Sequence, residues 1–112
     1  MREDPFGGGL VDLLVLSAIG QGESYGYAIA QRLAGHGVTG LSEASVYASL
    51  RRLEDRGLLE SRQVLADNGK ARRYYALTPA GDSHRGRGQE SWEATSAAVQ
   101  RVLAAADEET RR

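Results

Sequence analysis

The chain has 112 residues, a hydrophobic content of 41% and a formal net charge of −1 at pH 7, as expected for one small domain with an appended helix. It has no cysteine and only two histidines, so disulfides and thiol catalysis are excluded, and no metal or cofactor site is predicted. The longest apolar run, residues 13–19, is too short to span a bilayer, and we predict a cytoplasmic protein with no membrane partner.

The N-terminal region combines a glycine run with an apolar segment. Residues 1–9 are predicted to form a flexible arm, because the glycines at 7–9 oppose regular structure. Residues 10–19 are almost continuously apolar, which predicts a helix that must be covered on nearly all sides. One small domain cannot easily cover such a helix, so we infer that a second subunit helps to cover it.

The second predicted helix follows a glycine-rich break at residues 20–22. Ser24 is the predicted N-cap. The helix is expected over residues 25–33, with Ile29 and Leu33 facing inward.

The third predicted helix, residues 43–56, has the clearest boundaries. Ser42 is placed as an N-cap and Gly57 as the glycine that follows a helix end. Its helically spaced apolar residues are Val46, Leu50 and Leu53.

A β-hairpin is predicted next. Residues 58–65 and 71–77 are strand-like, and Asn68-Gly69 lies between them, the strongest short-range signal for a hairpin turn. Tyr74 and Tyr75 alternate across the second strand, so one of them is expected in the core.

The last predicted helix, residues 79–106, begins with Thr78 as N-cap and Pro79 at its first position. Three glycines (Gly81, Gly86 and Gly88) weaken its first half by about 1 kcal/mol each relative to alanine. A long helix with so little intrinsic stability requires a partner, and residues 107–112 are expected to be a flexible tail.

This order of elements predicts a mostly α fold with a small β-hairpin. Residues 10–78 form a winged helix-turn-helix, in which the hairpin is the wing, and residues 79–106 form a C-terminal dimerisation helix. In this fold the third helix enters the major groove of DNA. Its N-terminal half carries the candidate base-reading residues Ser42, Glu43, Ala44, Ser45, Tyr47 and Ser49.

The charge distribution also favours DNA. Residues 51–73 contain seven basic and four acidic residues, a local basic patch in a nearly neutral chain. Arg51 and Arg52 can reach backbone or bases, and the wing tip offers cations for phosphate or minor-groove contacts: Lys70, Arg72 and Arg73.

Other interpretations of these residues remain open. The basic residues of the third helix can form an ordinary solvated face, and Tyr47 can brace the helix from inside. An enzyme is not predicted, because no nucleophile and base are brought together. A winged-helix adaptor that binds proteins and not DNA is the main alternative, and the basic wing argues against it.

Three blocks of sequence resemble the PadR family of bacterial transcriptional regulators. They are Tyr25-Gly26-Tyr27, residues 45–59 (SVYASLRRLEDRGLL) and residues 69–81 (GKARRYYALTPAG). The resemblance covers about residues 9–105 and places the chain in the short subfamily with a single C-terminal helix. Ala48 departs from the proline that many relatives carry.

The resemblance implies a homodimer, formed through the first and last helices, that represses transcription from a palindromic operator until an effector binds. It places the DNA contacts on nine residues: Tyr25, Tyr27, Ser42, Ser45, Tyr47, Arg51, Lys70, Arg72 and Arg73.

The segment Glu90-Ser91-Trp92 further resembles the multidrug-sensing branch of that family. There a tryptophan at this position lines an apolar cavity between the subunits and stacks on flat aromatic compounds. The resemblance therefore implies an effector site made of Trp92, Ser96, Asp12, Leu13 and Phe6.

Overall fold

A computed structural model describes residues 8–111. The elements are α1 (Gly8–Gly20), β1 (Ser24–Tyr25), α2 (Gly26–Gly35), α3 (Glu43–Asp55), β2 (Leu59–Leu65), β3 (Ala71–Leu77) and α4 (Pro79–Arg111). The strands form one antiparallel sheet in the order β1-β3-β2. The predicted fold class, a mostly α winged helix-turn-helix with a long C-terminal helix, is confirmed.

The core lies between α1, α2, α3 and one face of the sheet. Leu16, Leu50 and Leu53 are fully buried in it. Strand pairing puts Leu59 opposite Leu77 and Ser61 opposite Tyr75, so these residues share the face of the sheet that packs on the helices, called here the inner face. Tyr75 is 8% exposed, which confirms that one of the two adjacent tyrosines belongs to the core.

The apolar helix α1 is covered mainly by its own chain. Val15, Leu16, Ala18 and Ile19 are buried against the other elements, whereas residues 10–14 are half-buried. The inference that a second subunit helps to cover this helix stays a prediction. The half-buried segment at its N-terminal end is the part left to be covered.

The start of α1 also differs from the prediction. Gly8 and Gly9 belong to its first turn, whereas the sequence predicted an arm through residue 9; residues 1–7 lie outside the described range. Packing of the apolar residues that follow supplies helix stability that glycine propensity does not.

Ser24 is not the N-cap of α2. It pairs with Tyr75 in the two-residue strand β1 and is 4% exposed. Tyr25 occupies the cap position without a side-chain cap bond. The prediction was wrong because a long-range strand pairing uses the backbone here, and local sequence does not reveal that pairing.

The boundaries of α3 and of the hairpin follow the prediction closely. The Ser42 hydroxyl accepts a hydrogen bond from the amide of Ser45 at 3.1 Å, which confirms the N-cap. Gly57 and Gly69 have φ of +76° and +82°, a region that glycine enters without strain. They end α3 and close the hairpin turn.

Helix α4 is 33 residues long and reaches Arg111, so residues 107–111 are helical where a tail was predicted. Its start is fixed to the domain by Thr78, which accepts from the amide of Gly81 at 3.0 Å and donates to the carbonyl of Gly57 at 2.7 Å. The far part of α4 projects outward, and the chain measures 65 × 27 × 27 Å. Within residues 8–111, no helix has the length and apolar character needed to cross a membrane.

Candidate nucleic-acid interface

A groove of about 370 Å³ lies between the start of α2, helix α3 and the strand β3. Six of the nine predicted DNA-contacting residues line it: Tyr25, Tyr27, Tyr47, Lys70, Arg72 and Arg73. These residues come from β1, α2, α3, the hairpin turn and β3, and the winged fold brings them to one surface. The groove therefore combines aromatic rings with cations, which suits a nucleic-acid backbone.

Tyr47 combines the two roles that the sequence left open. Its ring lies against Gly26, where an added Cβ would collide with it, yet the residue is 41% exposed. Tyr27 beside it is 50% exposed, and its hydroxyl accepts a hydrogen bond from Gln31 at 3.1 Å. One face of Tyr47 thus braces α2 against α3 while the rest faces solvent.

The N-terminal turn of α3 is open to solvent. Ser42 and Ser45 are exposed, and the Ser42 hydroxyl donates to that of Ser45 at 3.1 Å. Arg51 is exposed further along the helix. The backbone N–H groups and positive dipole end of such a turn attract phosphate.

Two residues of α3 bind α1 instead. Ser49 is fully buried, so its inclusion among the base-reading candidates was wrong. Its hydroxyl donates to the Asp12 carboxylate at 2.6 Å. Arg52 donates to the same oxygen at 2.6 Å, and together they tie α3 to α1.

The wing arginines are held by neighbouring groups. The Arg72 guanidinium lies 4.6 Å from the centre of the Tyr25 ring, within the range of a cation–π contact. Arg73 donates to Ser61 at 2.9 Å, and Ser61 donates to Glu54 of α3 at 2.5 Å. This relay links the wing to the third helix.

The Glu54 carboxylate also influences Tyr75, the core tyrosine of the sheet. Burial raises the pKa of the Tyr75 hydroxyl above its ordinary value of 10.0, and the negative charge of Glu54 raises this pKa further. The phenol is therefore neutral at physiological pH and gives the groove no charge, so its cations come from the lysine and arginine side chains.

The predicted effector residues are only partly brought together. Asp12 and Leu13 line a cleft of about 360 Å³ between α1, the end of α3 and α4, with Gly9, Leu16, Arg56, His84 and Gly88. Trp92 and Ser96 are half-buried on α4 but lie outside the lining of this cleft, and Phe6 lies outside the described residues.

Sequence reasoning missed one contact near the wing. Arg62 of β2 donates to both carboxylate oxygens of Glu23, at 2.9 and 2.7 Å. These hydrogen bonds, together with the charge of Glu23, raise the pKa of Arg62. The partners are far apart in the sequence, so no local pattern could have indicated the pair.

The chain is similar to known transcriptional regulators. The model of the PadR-like family of transcriptional regulators matches residues 15–87. The transcriptional regulator Rv3488 of Mycobacterium tuberculosis is 42% identical over 81 residues, which are 72% of this chain and 72% of that protein.

Solved structures give the same family. The PadR-like transcriptional regulator BC4206 of Bacillus cereus is 33% identical, with a TM-score of 0.74 over 85% of this chain and 92% of that chain. A PadR family transcription regulator of Clostridium difficile is 26% identical, with a TM-score of 0.74 over 83% and 97% of the two chains.

Proposed function

The chain belongs to the PadR-like family of transcriptional regulators, and on that premise we propose that it is a homodimeric repressor that binds a palindromic operator and responds to a small-molecule effector. Residues 10–78 form its DNA-binding unit and residues 79–106 its dimerisation helix. The observation that carries the DNA proposal is the groove, where three exposed cations and three tyrosines from separate elements meet.

The position of each residue determines which part of the DNA it contacts. Ser42, Ser45 and Tyr47 approach base edges at the start of α3, and Arg51 contacts the adjacent backbone. The residues beside α3 contact phosphates or the minor groove: Tyr25, Tyr27, Lys70, Arg72 and Arg73.

Dimerisation is supported by the outer part of α4. Val99, Val102 and Leu103 are 39%, 68% and 55% exposed, and they lie on the part of the helix that projects beyond the domain. A row of exposed aliphatic side chains at helical spacing favours burial against another helix. A second copy, packed through α1 and α4, supplies that helix.

The effector proposal places a flat aromatic compound between Trp92 residues of the two subunits, with Phe6, Asp12, Leu13 and Ser96 nearby. The cleft beside Asp12 and Leu13 supports it, and so does the link from Asp12 to α3. A ligand with different affinities for two dimer arrangements would shift the spacing of the two α3 helices.

The DNA proposal is tested by the salt dependence of binding. We expect the affinity of the full chain for labelled duplex DNA to fall steeply with salt, because phosphate contacts release counterions. Lys70→Ala should lower the slope of log affinity against log salt by about one for each protomer, for random duplex and for DNA upstream of the coding sequence alike. The measurement is fluorescence anisotropy over a salt series.

Arg87→Ala is the matched control, because it removes the same charge from an exposed position of α4 and should leave the slope unchanged. Absence of duplex binding by the wild-type chain would favour the protein-binding adaptor. Equal salt slopes for wild type and Lys70→Ala would contradict the proposed contact between the wing and DNA.

A further inference from the structure

The outer face of the sheet, opposite the core, carries a continuous line of stacked and paired side chains. Its five members are an ion pair, two adjacent rings and a terminal cation, in the spatial order Glu23, Arg62, Tyr74, Tyr25 and Arg72. We call this line the outer stack. It connects the segment before α2 to β2, then to β3, and ends at an arginine of the wing.

The distances along the outer stack are short enough for each neighbour to restrain the next. Glu23 accepts two hydrogen bonds from Arg62, whose guanidinium lies 6.0 Å from the centre of the Tyr74 ring. The Tyr74 and Tyr25 ring centres are 5.3 Å apart with an interplanar angle of 58°. Arg72 completes the stack at 4.6 Å from the Tyr25 ring.

The backbone alone gives the wing little support at its outer end. Strand β1 contributes two residues to the sheet, paired with Tyr74 and Tyr75. Residues 63–65 of β2 and 71–73 of β3 pair only with each other. A two-stranded ribbon is marginally stable in water, so side chains that join it to β1 restrict its movement.

We propose that the outer stack fixes the wing relative to the start of α2 and presents the Arg72 guanidinium to DNA, which makes Glu23 and Arg62 positioning residues for DNA binding. A ring beneath a guanidinium leaves its N–H edge free for a phosphate. The inference rests on the proposed function, because it concerns how the same wing reaches DNA.

Electrostatics and positioning predict opposite signs for one substitution. Glu23→Gln removes a negative charge, and by charge alone the variant should bind DNA more tightly. If the outer stack positions the wing, the variant loses the two-pronged ion pair and binds duplex more weakly. We expect an affinity loss of about twofold to fivefold for each protomer, the scale of one exposed ion pair, and a smaller salt slope.

Glu60→Gln is the matched control. Glu60 is exposed on the same outer face beside Arg62, and the outer stack does not include it, so its removal should leave DNA affinity unchanged or slightly higher. Tyr74→Phe keeps the ring and should behave as wild type, whereas Tyr74→Ala should reproduce the loss. Equal or tighter binding by Glu23→Gln would overturn the proposal.

A measurement without DNA keeps this inference separate from the proposed function. Hydrogen exchange of the β2 and β3 amides should be faster in Glu23→Gln than in Glu60→Gln, with the amides of α1 and α3 unchanged. Unchanged exchange in the wing would contradict the proposed role of the outer stack, even if the wild-type chain binds DNA. If exchange is faster in Glu23→Gln but the wild-type chain binds no DNA, the outer stack still restrains the wing and the proposed function is contradicted.

Discussion

At the scale of single residues, Asp12 has a role that its position in the sequence does not reveal. Family resemblance places it in an effector site, and the structure shows its carboxylate accepting from Ser49 and Arg52 of α3. Ser49 is fully buried, so loss of its acceptor would leave a buried hydroxyl unpaired. Any ligand that contacts Asp12 therefore also contacts the attachment of α3.

Trp92 gives a direct test of the effector proposal, because it is the only tryptophan in the chain. We expect an acridine dye, added without DNA, to quench the fluorescence of the wild-type protein. Trp92→Ala should weaken dye binding about twofold to tenfold, the range of an aromatic stacking interaction, as measured by dye fluorescence.

Trp92→Phe is the control for that experiment, since it retains a ring able to stack and should bind the dye nearly as well as wild type. Dye binding by Trp92→Ala with wild-type affinity would contradict the proposed aromatic site.

At the scale of elements, local sequence signals predicted those parts of the fold that local interactions stabilise. The cap at Ser42, the glycine at 57 and the Asn68-Gly69 turn act within a few residues, so α3 and the hairpin had nearly correct bounds. Strand β1 depends on pairing with Tyr74 and Tyr75, which no nearby residue signals. The end of α4 was predicted too early, at residue 106. The helix continues because residues 107–111 contain no glycine or proline to stop it.

The candidate site divides in the same way. Its residue types could be predicted, because tyrosines, serines and basic residues at these places in the three blocks indicate a DNA-binding face. The sequence could not show which of these basic side chains are held by other residues. Arg52 is held by Asp12, and Arg73 by Ser61, and both partners come from another element of the fold.

In helix α4, replacing two different glycines with alanine should change the free energy of unfolding in opposite directions. In an exposed helix, alanine is favoured over glycine by about 1 kcal/mol. An added Cβ at Gly81 would collide with the backbone carbonyl oxygen of Leu58, which cannot rotate away. We expect Gly81→Ala to lower the free energy of unfolding by about 1–3 kcal/mol, as measured by urea denaturation.

Gly86→Ala is the matched variant. A Cβ there meets nothing within 4 Å, so we expect it to raise the free energy of unfolding by about 1 kcal/mol. Both variants are compared at one protein concentration, since dimer formation contributes to apparent stability. Stabilisation by Gly81→Ala would show that the start of α4 does not pack closely on Leu58.

At the scale of the whole molecule, the single chain presents one copy of α3, the helix proposed to read DNA, and one projecting helix with exposed aliphatic side chains. A second copy related by a two-fold axis would cover that helix and present a second α3. Two such helices reach successive major grooves on one side of the duplex when their half-sites are about one helical turn, roughly 34 Å, apart. The proposed function thus depends on a symmetric pair.

The most direct test is selection of bound sequences from a random duplex library by the full-length chain, followed by sequencing. We predict enrichment of an inverted repeat whose half-sites are centred about one helical turn apart, with sharp loss of binding when half a turn is inserted between them. Enrichment of a single half-site, equal binding after that insertion, or no enrichment at all would contradict a dimeric operator-binding regulator.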